Sequence, residues 1–383
     1  PPPPPLSQDP APPEIYTYTE SSAASDVYKR QDHTPLRPWL AGIGVWLAAA
    51  GFGILGLLAI VPDDFFDSDG DLWQESGGDR GMSLAGMRYY LADDWHWPLL
   101  FTDDVNTPDG AVIAFTDSLP LLALGAKLAR PVIGSDINYY PSWFLLVYTL
   151  QGVGAVALLK SLRVHRAEVL LAGAALAVVF PAFVFRAMHP ALCAQFIVLL
   201  TLAAAVSAGR DRRCLPLTAA GLVLALLIHP YLLFMTVPLV AGIYLDHWRT
   251  GRLAAAHLAW AGGGAMVAVA AVLVAGGYTG RYDSTTDYGY YALNPMSPLY
   301  PQLSGVVPGF ERVLATPDGS LEAFNWLGVG SVVLVVAALV ASRAQLRSVI
   351  GRWRGLLAAG VSLTAVAISH RVAYGHEGLV DLA

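Results

Sequence analysis

The acidic stretch DSDGDLWQESGGD, residues 67 to 79, gathers Asp67, Asp69, Asp71, Glu75 and Asp79 just after an apolar run long enough to cross a bilayer. Clustered carboxylates can hold calcium, bridge a divalent cation to a phosphate, or act as bases. The EF-hand spacing needs acids at loop positions 1, 3 and 5, Gly at 6 and Glu at 12. Counted from Asp67 the acids fit, but Leu72 and Gly78 stand where Gly and Glu are required, so a calcium loop fails. Holding Mg²⁺ or Mn²⁺ through a substrate phosphate needs fewer protein oxygens. That reading stays open, and no cofactor is otherwise implied. For Asp63 through Asp71 a solvated loop is the favoured reading.

Asp79 differs from its neighbours. It follows Gly77 and Gly78 and precedes RGMSLAGMRYYL, whose Met82, Leu84 and Met87 recur at helical spacing. A carboxylate there is either an N-cap or a base held at a helix start, and both fit the position. His189 and His229 each precede a proline at the end of an apolar segment. A lone histidine in that place is commonly a hydrogen-bonded structural residue, but ionisable groups at membrane depth are functional suspects. Arg186 and Arg281 are expected near the same surface, and guanidinium matches phosphate bidentately. Asn106, Pro108 and Gly110 spell a turn. Asp117 and Ser118 precede Pro120, which suits a first helical turn capped by Asp117. No Walker motif, GxSxG elbow, HExxH or GxGxxG is present, and AGGGAM lies inside an apolar run as a packing signal at most. Cys193 and Cys214 fall near opposite ends of one predicted span and carry no redox or zinc signal.

The elements that must position these residues are apolar. Of 383 residues, 55% are hydrophobic and 14% charged, with mean hydropathy +0.51. Too little charge is present to cover a soluble domain of this size, and the fold class expected is an all-α, polytopic membrane protein. Spans are expected near 38–61, 141–160, 167–185, 190–208, 253–275, 326–342 and 354–369, with 215–245 broken by HPY into two short helices. That makes about nine membrane-crossing or half-crossing helices. SLPLLALGAKLARPV, 118 to 132, is too short to span and is expected at the interface. Residues 1–31 combine a proline-rich low-complexity tract with SSAASDVYKRQ, which resembles a translated sequencing adapter. They are read as disordered and as an assembly artefact, and 32–383 as the helical domain.

Basic residues set the orientation. Lys160, Arg163 and Arg166, then Arg210, Arg212 and Arg213, then Arg249 and Arg252, then Arg343, Arg347, Arg352 and Arg354 mark cytoplasmic connections, with the N-terminus cytoplasmic. The acidic first loop within 62–132, the FRAMHP and IHPY turns, and the second loop 276–325 then share the outer side. The cytoplasmic connections leave little room for a nucleotide, so chemistry is expected at the outer leaflet. Nothing in the charge pattern suggests nucleic acid as a partner.

The stretches GGDRGMSLAGMRYYL, WHWPL, NTPDG, FTDSLPLLAL, LLIHPYLLFM, GYYALNPMSPLYPQ and LEAFNWLGVG, in that order, resemble an uncharacterised bacterial membrane family, a domain of unknown function grouped with GT-C class glycosyltransferases. The resemblance spans about 70–375. Members often carry Gln-His shortly after the matching Asp, where this chain has Met82 and Ser83, and they continue past the point where this chain stops, so a C-terminal truncation is expected. The resemblance implies a GT-C-like fold in the cytoplasmic membrane, serving the cell envelope. It also implies transfer of a sugar from a polyprenyl-phosphate donor to a glycan or lipid acceptor, with Asp79 as the base. Arg88, His96, Asn106, Asp117, Ser118, Arg186, His189, His229, Tyr231 and Asn294 are the candidate substrate contacts, and no metal ligand is assigned. The alternative is a lipid-sugar flippase or transporter without transferase chemistry. Transporters often show related halves and midplane polar sites, and this sequence shows neither. A scaffold subunit is a third reading.

Overall fold

The computed structural model describes residues 38–68, 70–74, 77–134, 137–280, 292–302, 307, 309, 324–369, 371–374 and 377–381. Residues 1–31, Arg281 and much of the expected second loop lie outside the described residues. The chain divides into two compact units, Pro1–Gly44 and Val45–Ala383. The first contributes, among described residues, the opening turns of helix α1 (Pro38–Leu58). Everything below belongs to the second.

Helices α2 (Gly78–Ala92) and α3 (Pro120–Ile133) precede α4 (Tyr140–Ser161), α5 (Ala167–Val179), α6 (Phe196–Ala208), α7 (Cys214–Ile228), α8 (Pro230–Arg249), α9 (Ala255–Gly276), α10 (Val329–Ala341), α11 (Leu346–Arg352) and α12 (Arg354–Ile368). Two small antiparallel hairpins interrupt the expected all-α pattern. Strand β1 (Phe101–Thr102) pairs with β2 (Ala111–Val112), and β3 (Arg371–Tyr374) pairs with β4 (Glu377–Asp381). Among the described residues, four helices are long and apolar enough to cross a membrane: α4, Ala167–Phe185, α8 and α9. The pair α10 and α11, bent by 106°, makes a fifth if read as one span. The apolar helices Gly42–Leu58, α6, α7 and α12 are shorter. Each apolar run expected from the sequence is therefore helical, while length and composition identify four or five candidate spans where about nine were expected. The run at 190–208 loses its first turn because Pro190 is used elsewhere: the Trp143 indole donates to its carbonyl at 2.7 Å, and α6 starts only at Phe196.

Small residues let the helices meet. A Cβ on Gly53 would stand 2.0 Å from the Tyr148 carbonyl, and one on Gly152 would stand 2.3 Å from that of Ala49, so the α1 and α4 backbones touch directly. Gly56 meets Val178 in the same way. The break expected at HPY is present: His229 is extended, Pro230 begins α8, and a proline loses nothing at that first position. Leu222 and Val240, on opposite sides of the break, share one core cluster, so α7 and α8 fold back on each other.

The acidic segment is more than a solvated loop. Asp63, Asp64, Asp67 and Asp71 are exposed, as expected, but Phe65 and Trp73 are buried. The Trp73 indole donates to the Phe65 carbonyl at 2.9 Å and stacks on Tyr140. With α2, the β1–β2 hairpin and α3, this segment forms a cap whose core is continuous with the ends of α4 and α7 and with the turn before α6.

Candidate active site

Four of the residues singled out by type and position meet in this cap as two His–carboxylate pairs. His189 Nδ1 lies 3.4 Å from Asp79 Oδ2, and His229 Nε2 lies 2.8 Å from Asp117 Oδ1. The pairs differ in exposure. Asp79 is 56% exposed and its partner His189 15%, whereas Asp117 is 24% and His229 10% exposed. One carboxylate faces solvent and the other is half enclosed.

Each side chain is held by local structure. Asp79 lies in the first turn of α2, one residue inside its start, and Gly77 rather than Asp79 occupies the N-cap position, without a side-chain cap bond. The partial positive charge of a helix N-terminus favours a carboxylate there. Asp117 is not the cap of α3 either. It sits in the left-handed region at φ 55°, closing the 3₁₀ turn Ile113–Thr116, and Leu119 precedes Pro120 at the helix start. His189 closes the 3₁₀ turn Arg186–Met188, its backbone N–H donating to the Arg186 carbonyl at 2.9 Å. His229 caps α8: its Nδ1 accepts from the Tyr231 backbone N–H at 3.1 Å.

A buried hydroxyl network ties the pairs together. The Ser83 carbonyl accepts from Ser118 Oγ at 2.9 Å and from the Tyr140 hydroxyl at 3.0 Å. Ser83 Oγ donates back to the Asp79 carbonyl at 2.8 Å. Ser118 Oγ and Thr116 Oγ1 lie 2.7 Å apart, and the Tyr139 hydroxyl donates to the Ser118 carbonyl. Burial pushes the Tyr139 phenol well above its ordinary pKa, so it remains a donor. Gly86 makes the fit possible, because a Cβ there would stand 2.2 Å from Thr116 Oγ1 and 2.4 Å from Ser118 Oγ. The turn bearing Asp79 and the loop bearing Asp117 are thus docked on one another.

The remaining candidates fall elsewhere or serve structure. Ser118 is fully buried within the network just described. Arg88 lies more than two turns along α2 from Asp79, about 13 Å by helical rise, and reaches Gln74 Oε1 at 3.5 Å. Asn106 occupies a left-handed turn and donates to the Gly110 carbonyl at 3.4 Å. Tyr231 is exposed, with its ring edge against His229. Asn294 is buried, and its Oδ1 accepts from the Met296 N–H at 3.1 Å, beside the end of α12, where the Leu293 N–H donates to the Ala367 carbonyl. His96 belongs to a second polar cluster at the far end of α2, 3.0 Å from Asp93 Oδ1 and 3.6 Å from Asp103 Oδ2. Burial opposes ionisation of Asp93, but hydrogen bonds from His96, Thr102 and the Asp94 and Asp103 N–H groups outweigh it and bring the carboxyl down to about 2. The hydrogen bond to Asp93 raises His96 above the ordinary histidine value. Lys127 and Arg130 of α3 close this end by donating to carbonyls of Asp94 and of Leu91, Ala92 and Asp93.

Sequence reasoning missed Ser83, Thr116, Tyr139 and Tyr140 as supports of the site. The double tyrosine opening α4 was the available signal, since buried phenols seek acceptors. Among the described residues no group of three His, Cys, Asp or Glu side chains is arranged to hold a metal ion.

Fold and site together define a helical protein with candidate membrane spans and paired carboxylates and imidazoles in a cap at the helix ends. Residues 50–383 match DUF6311, a domain of unknown function, and the chain belongs to that family. No curated protein and no solved structure matches it.

Proposed function

We propose that this protein is a glycosyltransferase of GT-C-like architecture in the bacterial cytoplasmic membrane, with about nine helices crossing or half-crossing the bilayer and the N-terminus cytoplasmic. It transfers a sugar from a polyprenyl-phosphate donor to a glycan or lipid acceptor at the outer face. Asp79 takes the proton of the acceptor hydroxyl as that oxygen bonds the anomeric carbon. The bond from that carbon to the phosphate oxygen breaks, the polyprenyl phosphate leaves as an anion, and the anomeric configuration inverts. General-base assistance of this kind contributes about 10²–10⁴-fold. His189 orients Asp79, and Arg186, at the start of the same 3₁₀ turn, is the cation assigned to the departing phosphate.

The observation that carries this reading is the Asp79–His189 pair, a solvent-facing carboxylate at a helix start within 3.4 Å of an imidazole from a remote segment. Membranes containing the protein are expected to move labelled sugar from a polyprenyl-phosphate donor to an acceptor, and membranes with equal amounts of Asp79→Asn are not. Movement of the intact lipid-linked sugar across vesicles without transfer would instead establish a flippase.

A further inference from the structure

The two His–carboxylate pairs are not equivalent, and the hydrogen bonds of His229 show why. Its Nδ1 accepts a backbone N–H, from Tyr231 at 3.1 Å, so that nitrogen carries a lone pair and no proton. The ring proton is then on Nε2, which faces Asp117 Oδ1 at 2.8 Å. Both ring nitrogens are committed, one to the start of α8 and one to the loop before α3. Asp79, the carboxylate facing His189, is the more exposed of the two.

We propose that Asp117 and His229 are positioning residues, a latch between the tip of the α7–α8 hairpin and the 116–118 loop that sets the placement of Asp79 and His189. The latch loop grips the turn of Asp79 directly, through Ser118 Oγ to the Ser83 carbonyl and Ser83 Oγ to the Asp79 carbonyl. Tyr139 and Tyr140 fix the same loop and the same turn from α4. Asp117 therefore acts as a hydrogen-bond acceptor, a duty that the carbonyl of an asparagine also performs. The functional consequence rests on the reading of Asp79 as the base, but the latch itself does not.

The test reads imidazole ¹⁵N signals of the full chain in lipid nanodiscs at neutral pH, so it is independent of sugar transfer. In the wild type His229 is expected as the neutral Nε2–H tautomer. Asp117→Asn keeps that signature and leaves the His189 signals in place. Asp117→Ala keeps the tautomer, which the Tyr231 N–H sets, but removes the acceptor facing Nε2, so it moves the His229 Nε2 signal and shifts the His189 signals. His229→Asn, which retains a side-chain cap for the Tyr231 N–H but is too short for Asp117, also shifts His189 and serves should the alanine variant not fold. An imidazolium or Nδ1–H tautomer at His229 overturns the inference. So do His189 signals that ignore Asp117→Ala and His229→Asn, or that respond to Asp117→Asn as strongly as to alanine.

Discussion

Replacing Gly86 with alanine sets two effects of opposite sign against each other. In an open helix interior, alanine stabilises by about 0.8–1 kcal/mol over glycine. At Gly86 the new methyl would stand 2.2 Å from Thr116 Oγ1, 2.4 Å from Ser118 Oγ and 2.9 Å from Thr116 Cβ. Neither hydroxyl can simply swing away. Thr116 Oγ1 donates to the Ile113 carbonyl at 2.9 Å, and Ser118 Oγ donates to the Ser83 carbonyl. Overpacking of a fitted interior costs about 1–3 kcal/mol, and each displaced hydrogen bond about 1 kcal/mol. After the helix-propensity gain, a net loss of about 2–4 kcal/mol remains. Gly125, in the interior of α3, is the control, since a Cβ there meets nothing within 4 Å, and Gly125→Ala should gain up to about 1 kcal/mol. Denaturant titration of the three proteins in mixed micelles measures the order. A Gly86→Ala variant as stable as wild type, beside a stabilised Gly125→Ala, would refute the docking of α2 on the 116–118 loop.

The His96 cluster gives a pH prediction. A raised histidine stabilises below its unfolded value near 6.5 and loses that contribution as pH rises through the folded value. Asp93, at about 2, stabilises above the ordinary carboxylate range and loses that as pH falls through about 2. The 93–103 loop should therefore be tightest between about pH 4 and 6.5, as NMR titration of His96 and amide exchange at Asp94 and Asp103 would show; a His96 midpoint below the ordinary value contradicts it. Asp246, 3% exposed, accepts from the Gly355 and Leu356 N–H groups at 2.8 and 3.0 Å and so caps α12 from α8. Asp246→Ala should cost about 2–4 kcal/mol and Asp246→Asn less, because one carbonyl acceptor survives. Equal losses in a denaturant titration would show that the cap is not what Asp246 supplies.

The helical runs were legible because long apolar stretches and a proline after His229 leave few alternatives. Which runs were long enough was less legible: the turn at Pro190, held by Trp143, takes residues from what reads as one continuous span. Asp79, Asp117, His189 and His229 were visible as chemistry-bearing types at the ends of apolar segments. Their pairing was not, because it depends on a left-handed Asp117 and on the cap docking on the helix ends. Asp79 and Asp117 misled as caps: a carboxylate near a helix start signals the terminus, and only backbone geometry tells Gly77 and Leu119 from the neighbouring acids. Trp73, set among acids, gave no periodic signal that the segment has its own core.

The most direct measurement is the rate of sugar transfer from a defined polyprenyl-phosphate donor by the purified protein in nanodiscs, wild type against Asp79→Asn. A loss of about 10²–10⁴-fold is expected, with donor binding retained and the His229 tautomer unchanged. A variant that transfers sugar at the wild-type rate contradicts the assignment of Asp79 as the base.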